Sequence, residues 1–348
     1  MNKIGTLVIF DHSGTLSLDA PQFGQPERLG KALTESGLAA FGLADPNYFW
    51  EKIANPTWEE GSTTAIGYQR LLTRRVTALG LARGTTEGEL AVAAGRFVTD
   101  YLAHSRIDPR WREPLARLSA KPAVRTIIAT DHYAEATAAI TEDLSTLGLR
   151  CAVANSADLG AEKGDRRFWE KMKAHLGLDA TRRVIIVDDF GHNEAPGDAY
   201  AQAGEVAARQ ERTLAVLGEV FPGSVTAIPF FLTASSDKQE EDTGQLIAAT
   251  TARIEILLRE APSFPADCRP LIVYPCPWGY KVIGRDREGL AKAVAEVLAG
   301  CHYIVTPSHT SKGGTYHCLN VETTVESEPQ RQDLCERLRH HPAVKMVL

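Results

Sequence analysis

Three short apolar runs, each closing on a polar side chain, constrain this chain more than any other feature. Leu7-Val8-Ile9-Phe10 runs into Asp11, "AVRTIIAT" (123–130) ends on Thr130, and "RRVIIVDDF" (182–190) carries Asp188 and Asp189. Unbroken apolar runs of this length are the pattern of strands buried on both faces. The segments "HYAEATAAITEDLSTLG" and "DRRFWEKMKAHLG" between them read as helices, and "LRCAVAN" and "SVTAIPFFL" (224–232) as further strands. Strands alternating with helices predict an α/β fold with a mostly parallel sheet covered on both sides.

Residues 26–106 interrupt that rhythm. "PERLGKALTESGL", "TAIGYQRLLTRRVTALGL" and "TTEGELAVAAGRFVTDYLAHS" place apolar residues at helical spacing, as a helical insertion would. Helical spacing is also expected in "NEAPGDAYAQAG" after the third run, and a surface helix ending near 260. "APSFPADCRP" (261–270) is rich in proline and turn formers and marks a domain boundary. Beyond it, strand and helix patterns follow in the order β-α-β-β-α-β, the ferredoxin-like α+β arrangement. The expected organisation is a first domain over 1–265, with its core at 1–18 and 121–265 and a helical insertion at 19–120. A second domain covers 271–348.

The 348-residue length suits two domains. A net charge of −6 argues against a nucleic-acid coat or a membrane-surface protein. No apolar run is long enough to suggest a membrane span. Six cysteines, never spaced as CxxC, and no export signal in residues 1–10 lead to an expectation of reduced thiols in the cytoplasm.

Parallel sheets gather ligands at the carboxyl ends of their strands. Asp11, Thr130 and the pair Asp188–Asp189 stand at such ends, and Lys163 precedes a helix beside them. Neighbouring carboxylates repel unless a cation or proton intervenes, and oxygen ligands of this kind suit Mg²⁺. A lysine is a point charge for a phosphate, and a threonine hydroxyl donates to a phosphoryl oxygen.

The ordered set resembles the haloacid-dehalogenase (HAD) superfamily, most of whose members are Mg²⁺-dependent phosphohydrolases. Asp11-His12-Ser13-Gly14-Thr15 stands where the family has its first motif, Thr130 matches the second, Lys163 the third, and "VIIVDDFGHNEAPGDAYAQAG" the fourth. The resemblance covers about residues 4–205, and the helical block resembles a C1-type cap. It implies a nucleophilic Asp11 that forms an aspartyl-phosphate on a small phosphorylated metabolite. Thr130, Lys163 and Gly14 would hold the phosphate. Mg²⁺ would lie on Asp11, Asp189 and the Ser13 backbone carbonyl, with Asp188 beside them or ligating.

Ser13 departs from the family pattern, in which phosphatases carry a second aspartate that protonates the leaving alcohol. Such a group is worth roughly 10²–10⁴-fold. His12, His132 and His192, with His104 in the insertion, are the candidates to supply the proton. Three outcomes fit the departure: phosphoester hydrolysis, which leads; a C–P or C–halogen cleavage; or binding with slow or no turnover. A C–P lyase needs a Schiff-base lysine, and residues 32–120 contain only Lys52. Phe49, Trp50, Trp58, Tyr68, Arg70, Arg74 and Arg75 serve either a pocket or helix packing. "NPTWEEGSTTAIGYQR", interrupted by Gly61 and Gly67, is the segment expected to reach the site.

Residues 271–348 resemble the small bacterial YbeD-like family, on "YPCPWGYKVIG" and "SKGGTYHCLNVETTVESEPQRQDLCERLRHHPAVKMVL". The resemblance implies an ACT-like fold with a regulatory or dimerising role, including a homodimer through this domain. Cys276, Cys301, His302, His309, His317 and Cys318 fall close together in sequence, but not in the compact pairs that zinc sites use. The partner expectation is therefore a small phosphorylated molecule, with no nucleic acid and no membrane.

Overall fold

In a computed structural model of the chain, residues 5–82, 86–232, 239–259, 274–310 and 315–348 are described. The chain divides into two units, Met1–Cys268 and Arg269–Leu348. The proline-rich stretch expected to mark the boundary lies outside the described residues.

The first unit is built on five strands: β1 Thr6–Phe10, β2 Val124–Thr130, β3 Ala152–Asn155, β4 Arg183–Asp188 and β5 Ser224–Pro229. All pair in parallel, in the order β3-β2-β1-β4-β5. The chain moves outward from β1 to one edge, then returns past β1 to build the other. The switch point therefore falls between β1 and β4, whose carboxyl ends carry Asp11 and Asp188.

Alternation along the strands explains both covered faces. Val8, Phe10, Ile128, Ile185 and Val187 point into one layer with Trp111, Leu115 and Ile140. Leu7, Ile9, Ile127, Val184 and Ile186 point into the other with Phe168, Trp169 and Leu217. Both sets are close to fully buried, as unbroken apolar runs require.

Between β1 and β2 the chain forms a helical insertion with its own core, in which Leu33, Phe49, Leu71 and Phe97 are buried together. Helix Pro26–Ser36 stops at Gly37, whose φ of 92° continues the chain into a turn. Helix Glu87–His104 opens on a reciprocal capping box between Thr86 and Glu89. Two boundaries differ from expectation. Gly61 lies inside helix Asn55–Thr63, where a Cβ would meet the Tyr133 ring at 2.3 Å, so this glycine permits close packing and does not break the helix. Trp111, Leu115 and Leu118 pack on the sheet, so helix Arg112–Ser119 belongs to the core layer although the insertion was expected to run to 120.

The helix expected at "NEAPGDAYAQAG" is also different. Residues 193–198 run irregularly through Pro196 and Gly197, a single 3-10 turn spans Ala199–Ala201, and the helix is Ala203–Val220. Asp198 caps the short turn by accepting from the Tyr200 N–H, which holds the segment out of helical register.

The second unit runs β6 Cys276–Gly284, helix Arg287–Val297, β7 Tyr303–Thr310, β8 His317–Val325, helix Glu328–His340 and β9 Met346–Val347. Its four strands pair antiparallel in the order β7-β8-β6-β9, giving the expected ferredoxin-like α+β fold. Val282, Leu319 and Val321 pack on Leu290, Val294 and Leu338 of the two helices. No helix among the described residues is long and apolar enough to cross a membrane.

Trp111 joins packing to the site. Its ring meets Phe10 edge-on at 5.4 Å, and its Nε1–H donates to the Thr15 carbonyl (2.9 Å) in the turn after Asp11. Trp111→Ala is expected to cost about 3–5 kcal/mol in urea unfolding. Trp111→Phe keeps part of the packing but leaves the buried Thr15 carbonyl without its donor, and should cost about 1–3 kcal/mol for that group in addition to the small cavity.

Candidate active site

Strand β1 ends and the chain turns at once. The Asp11 N–H donates to the Val187 carbonyl (2.9 Å), the last ladder bond on that side, and the His12 carbonyl then accepts from the N–H groups of Leu16 (3.0 Å) and Ser17 (2.7 Å). Gly14 takes φ 72° at the tip. A Cβ there would lie 2.6 Å from Asp189 Oδ2, so glycine is needed for the turn to press against the acidic pair. Gly14 was expected to hold phosphate. Its place is instead behind Asp189, with its carbonyl taken by Asn193 Nδ2 (2.7 Å).

Lys163 crosses from the next layer. Its Nζ donates to Asp11 Oδ1 (2.6 Å) and to Asp188 Oδ2 (2.8 Å), and all three side chains are buried. The lysine backbone is fixed at both ends. Its N–H donates to Asp131 Oδ1 (2.8 Å), and its carbonyl accepts from Trp169 Nε1 (2.7 Å). The two carboxylates beside it hold the Lys163 ammonium charged against the cost of burial.

The acidic pair sits on a strained turn. Asp188 Oδ1 accepts from the Phe190 N–H (2.7 Å), and Phe190 has φ 52°, the single non-glycine at positive φ among the described residues. Strain of this kind collects where side chains must be aimed. Asp189 accepts from the Asn193 N–H (2.8 Å), and its own N–H donates to Thr15 Oγ1 (3.1 Å).

Oxygens of Asp11, Asp188 and Asp189 all lie within 4.8 Å of one another. Burial raises the Asp11 carboxyl to about 7 even though Lys163 opposes the shift. Asp189 is driven well above the carboxylate range by burial and by Glu194, Asp11 and Asp188, with only a backbone N–H to offset it. One ammonium thus faces three buried carboxyl groups. That donor set, all oxygen and short of positive charge, fits a hard divalent cation.

The acidic cluster opens into a small cavity of about 60 Å³ that Thr130 and Asp131 also line. Thr130 Oγ1 is buried there without a hydrogen-bond partner, a donor waiting for an acceptor.

The candidate histidines differ in burial and in partners. Burial and His132 push His12 down to about 3, so it stays neutral. His132 reaches the cavity, but burial lowers it to about 4. Its Nδ1 accepts from the Tyr133 N–H (2.9 Å), so the neutral ring keeps its hydrogen on Nε2, facing Tyr101 Oη at 3.0 Å. His192 is exposed and stacks on Phe231 at 4.3 Å, and His104 bonds the Asp100 carbonyl; neither lines the cavity.

Glu194 is the carboxyl that sequence reasoning passed over. It lines the cavity; burial and Asp198 raise it to about 8, against a lowering influence of the nearby Ser13 side chain. Asp131, Asn193 and Tyr200 were also missed. Tyr200 Oη donates to Asp131 Oδ2 (3.0 Å), completing the support of the Lys163 loop. Arg70, Arg74 and Arg75 do not reach the site: Arg74 pairs with Glu60, and Arg75 donates to the Lys52 carbonyl (2.7 Å).

Comparison with known proteins bears on the second unit. The profile described as "Protein of unknown function (DUF493)" matches residues 269–348. A UPF0250 protein of Shewanella sediminis is 37% identical over 81 residues, 22% of this chain and 91% of the relative. A UPF0250 protein of Haemophilus influenzae is 31% identical over 86 residues, 24% of this chain and 92% of its own length. Through this unit the chain belongs to the DUF493 family. The solution structure of HP0495 from H. pylori covers 25% of the chain and 96% of that protein at 25% identity and a TM-score of 0.21. The 2-haloacid dehalogenase from Pseudomonas syringae pv. Tomato covers 59% of the chain and 99% of that protein at 17% identity, with a TM-score of 0.38. In the DUF493 unit, Cys276, Cys301, Cys318 and Cys335 are partly buried free thiols, and Cys276, Cys301 and Cys335 pack against its core.

Two outcomes follow from the charge balance. Asp189→Asn removes a carboxyl whose ionised form burial and three neighbouring acids oppose, so it is expected to raise the melting temperature without metal and to abolish any rise that Mg²⁺ gives the unaltered chain. Calorimetric scans with and without Mg²⁺ measure both. His132 is depressed in the folded state, so below about pH 6.5 the unfolded chain binds a proton that the folded chain refuses. Stability should therefore fall as pH drops from about 6.5 to about 4. In His132→Gln that part of the acid loss should be missing from a melting series over the same window.

Proposed function

We propose that the first unit is a HAD-type phosphomonoester hydrolase acting on a small phosphorylated metabolite. The observation that carries this reading is the Lys163 ammonium spanning Asp11 and Asp188, at the floor of a cavity into which the unpaired Thr130 hydroxyl opens.

Asp11 attacks phosphorus in line. A bond forms from its carboxylate oxygen to phosphorus, the bond from phosphorus to the ester oxygen breaks, and the leaving alkoxide takes a proton. Water then attacks the aspartyl-phosphate, releasing inorganic phosphate and restoring the carboxylate. Lys163 and Thr130 donate to phosphoryl oxygens, where negative charge accumulates. Mg²⁺, held by Asp11, Asp189 and the Ser13 carbonyl with Asp188 beside them, would supply the remaining positive charge and orient the phosphate.

Glu194 takes the part of the absent second aspartate in this scheme. Its carboxyl contacts the Ser13 side chain and faces both the acidic cavity and the aromatic chamber beyond it, where a leaving group would sit. The C–P alternative is less well served. Lys52, the single lysine of residues 32–120, pairs with Glu51 at the surface and lines neither cavity.

Turnover of p-nitrophenyl phosphate should require Mg²⁺, vanish with chelator and drop to background in Asp11→Asn. Glu194→Gln should slow alkyl phosphates by roughly 10²–10⁴-fold. It should slow p-nitrophenyl phosphate far less, because that phenolate leaves without a proton. Metal-independent turnover, or full activity in Asp11→Asn, defeats the proposal.

A further inference from the structure

The acidic cavity meets a second cavity of about 70 Å³, and Ser13, Trp58, Tyr101, Glu194 and Asp198 line both. The second chamber differs sharply in chemistry. Tyr68 and Tyr133 stack at 3.8 Å with 4° between their planes, and Trp58 meets Tyr133 edge-on at 5.4 Å. Trp50 lies in a widened π turn, Trp50–Ala54, tied to the core by its Nε1–H to the Gly24 carbonyl (3.3 Å). Phe23, Phe49 and Phe97 complete the apolar lining. Two clamps hold this insertion over the sheet ends. Asn55 Nδ2 donates to the Gly197 carbonyl (3.3 Å), and Glu135 accepts from the Tyr68 N–H (2.9 Å).

We propose that this chamber receives the ammonium end of a small amino-alcohol phosphate, whose phosphate occupies the Asp11–Lys163 cavity. The phosphate half of that statement rests on the phosphohydrolase reading; the ammonium half rests on the chamber alone. Aromatic faces attract cations through the ring quadrupole, most strongly where water is excluded. The ionisable side chains along the lining, apart from the tyrosines, are Glu194 and Asp198, and among the described residues it has no lysine, arginine or histidine. An anionic group would face two carboxyl groups and the negative faces of the rings, with no cationic side chain along the lining to receive it. A plain hydrocarbon would strip water from both carboxyl groups and offer nothing in return. A small alkylammonium satisfies the rings and the acids together. The volume is room for about five water molecules at the usual threshold per water, which suits a leaving group of a few heavy atoms.

Choline and its uncharged tert-butyl isostere, neohexanol, test the chamber without any reaction. In isothermal titration against the full chain, choline should bind roughly tenfold or more tightly than neohexanol. Trp58→Leu should erase most of that preference and Trp58→Tyr, which retains a ring, should keep it, with melting curves confirming that both variants fold. Equal affinities, tighter binding of neohexanol, or no binding of choline overturns the inference. Hydrolysis of phosphocholine against neohexyl phosphate should show the same preference in kcat/KM. Turnover of p-nitrophenyl phosphate without discrimination between choline and neohexanol leaves the hydrolase reading standing and defeats the chamber. Discrimination in binding with no ester cleaved does the reverse.

Discussion

One ammonium group against three buried carboxyl groups is the interaction around which the first unit is organised. Lys163 bridges the ends of β1 and β4 by bonding Asp11 and Asp188, and its backbone is fixed by Asp131 and Trp169 so that the reach is short. Buried carboxylates without a counter-charge are costly, and one lysine neutralises only part of the set. Asp189 is left with a backbone N–H and a glycine pressed against it. The deficit of positive charge is therefore built into the sheet's switch point, where a bound cation would offset it.

The surroundings keep that deficit from collapsing. Thr15 Oγ1 and Asn193 tie the turn after β1 to the turn after β4, and Asn193 also reaches the Phe230 carbonyl at the end of β5. Trp111 braces the same turn from the layer beneath. The strained φ of Phe190 is held by the Asp188 carboxylate and by an Arg209 bond to the Phe190 carbonyl. These are neutral or singly charged contacts spread over three strand ends. They fix geometry without cancelling the charge.

The helical insertion supplies the complementary half. Its aromatic residues reach the strand ends because Gly61 lets helix Asn55–Thr63 approach Tyr133, and because Gly67, at φ 83°, turns the chain beside Glu135. Two adjoining cavities result, one acidic with a single lysine and one aromatic with carboxyl groups at its edge. Ser13 and Glu194 stand between them. The DUF493 unit is folded on its own antiparallel sheet.

Sequence alone determined the parallel sheet and its four polar strand-end positions, because an apolar run buried on both faces ends where polar side chains must reach the carboxyl edge of the sheet. Asp11, Thr130, Asp188 and Asp189 were legible for that reason, and Lys163 through its place in a familiar order. The ferredoxin-like order of the second unit was legible from periodicity as well. Tertiary structure alone decided which acid lines the same cavities as Ser13. Glu194 lies in a stretch whose helical spacing suggested a regular element, and only the cap formed by Asp198 and the break at Pro196 and Gly197 carry it over the cavity. It also separated the histidines by their surroundings. Burial and partners are not encoded in spacing, and His12 and His132 are buried while His192 is exposed.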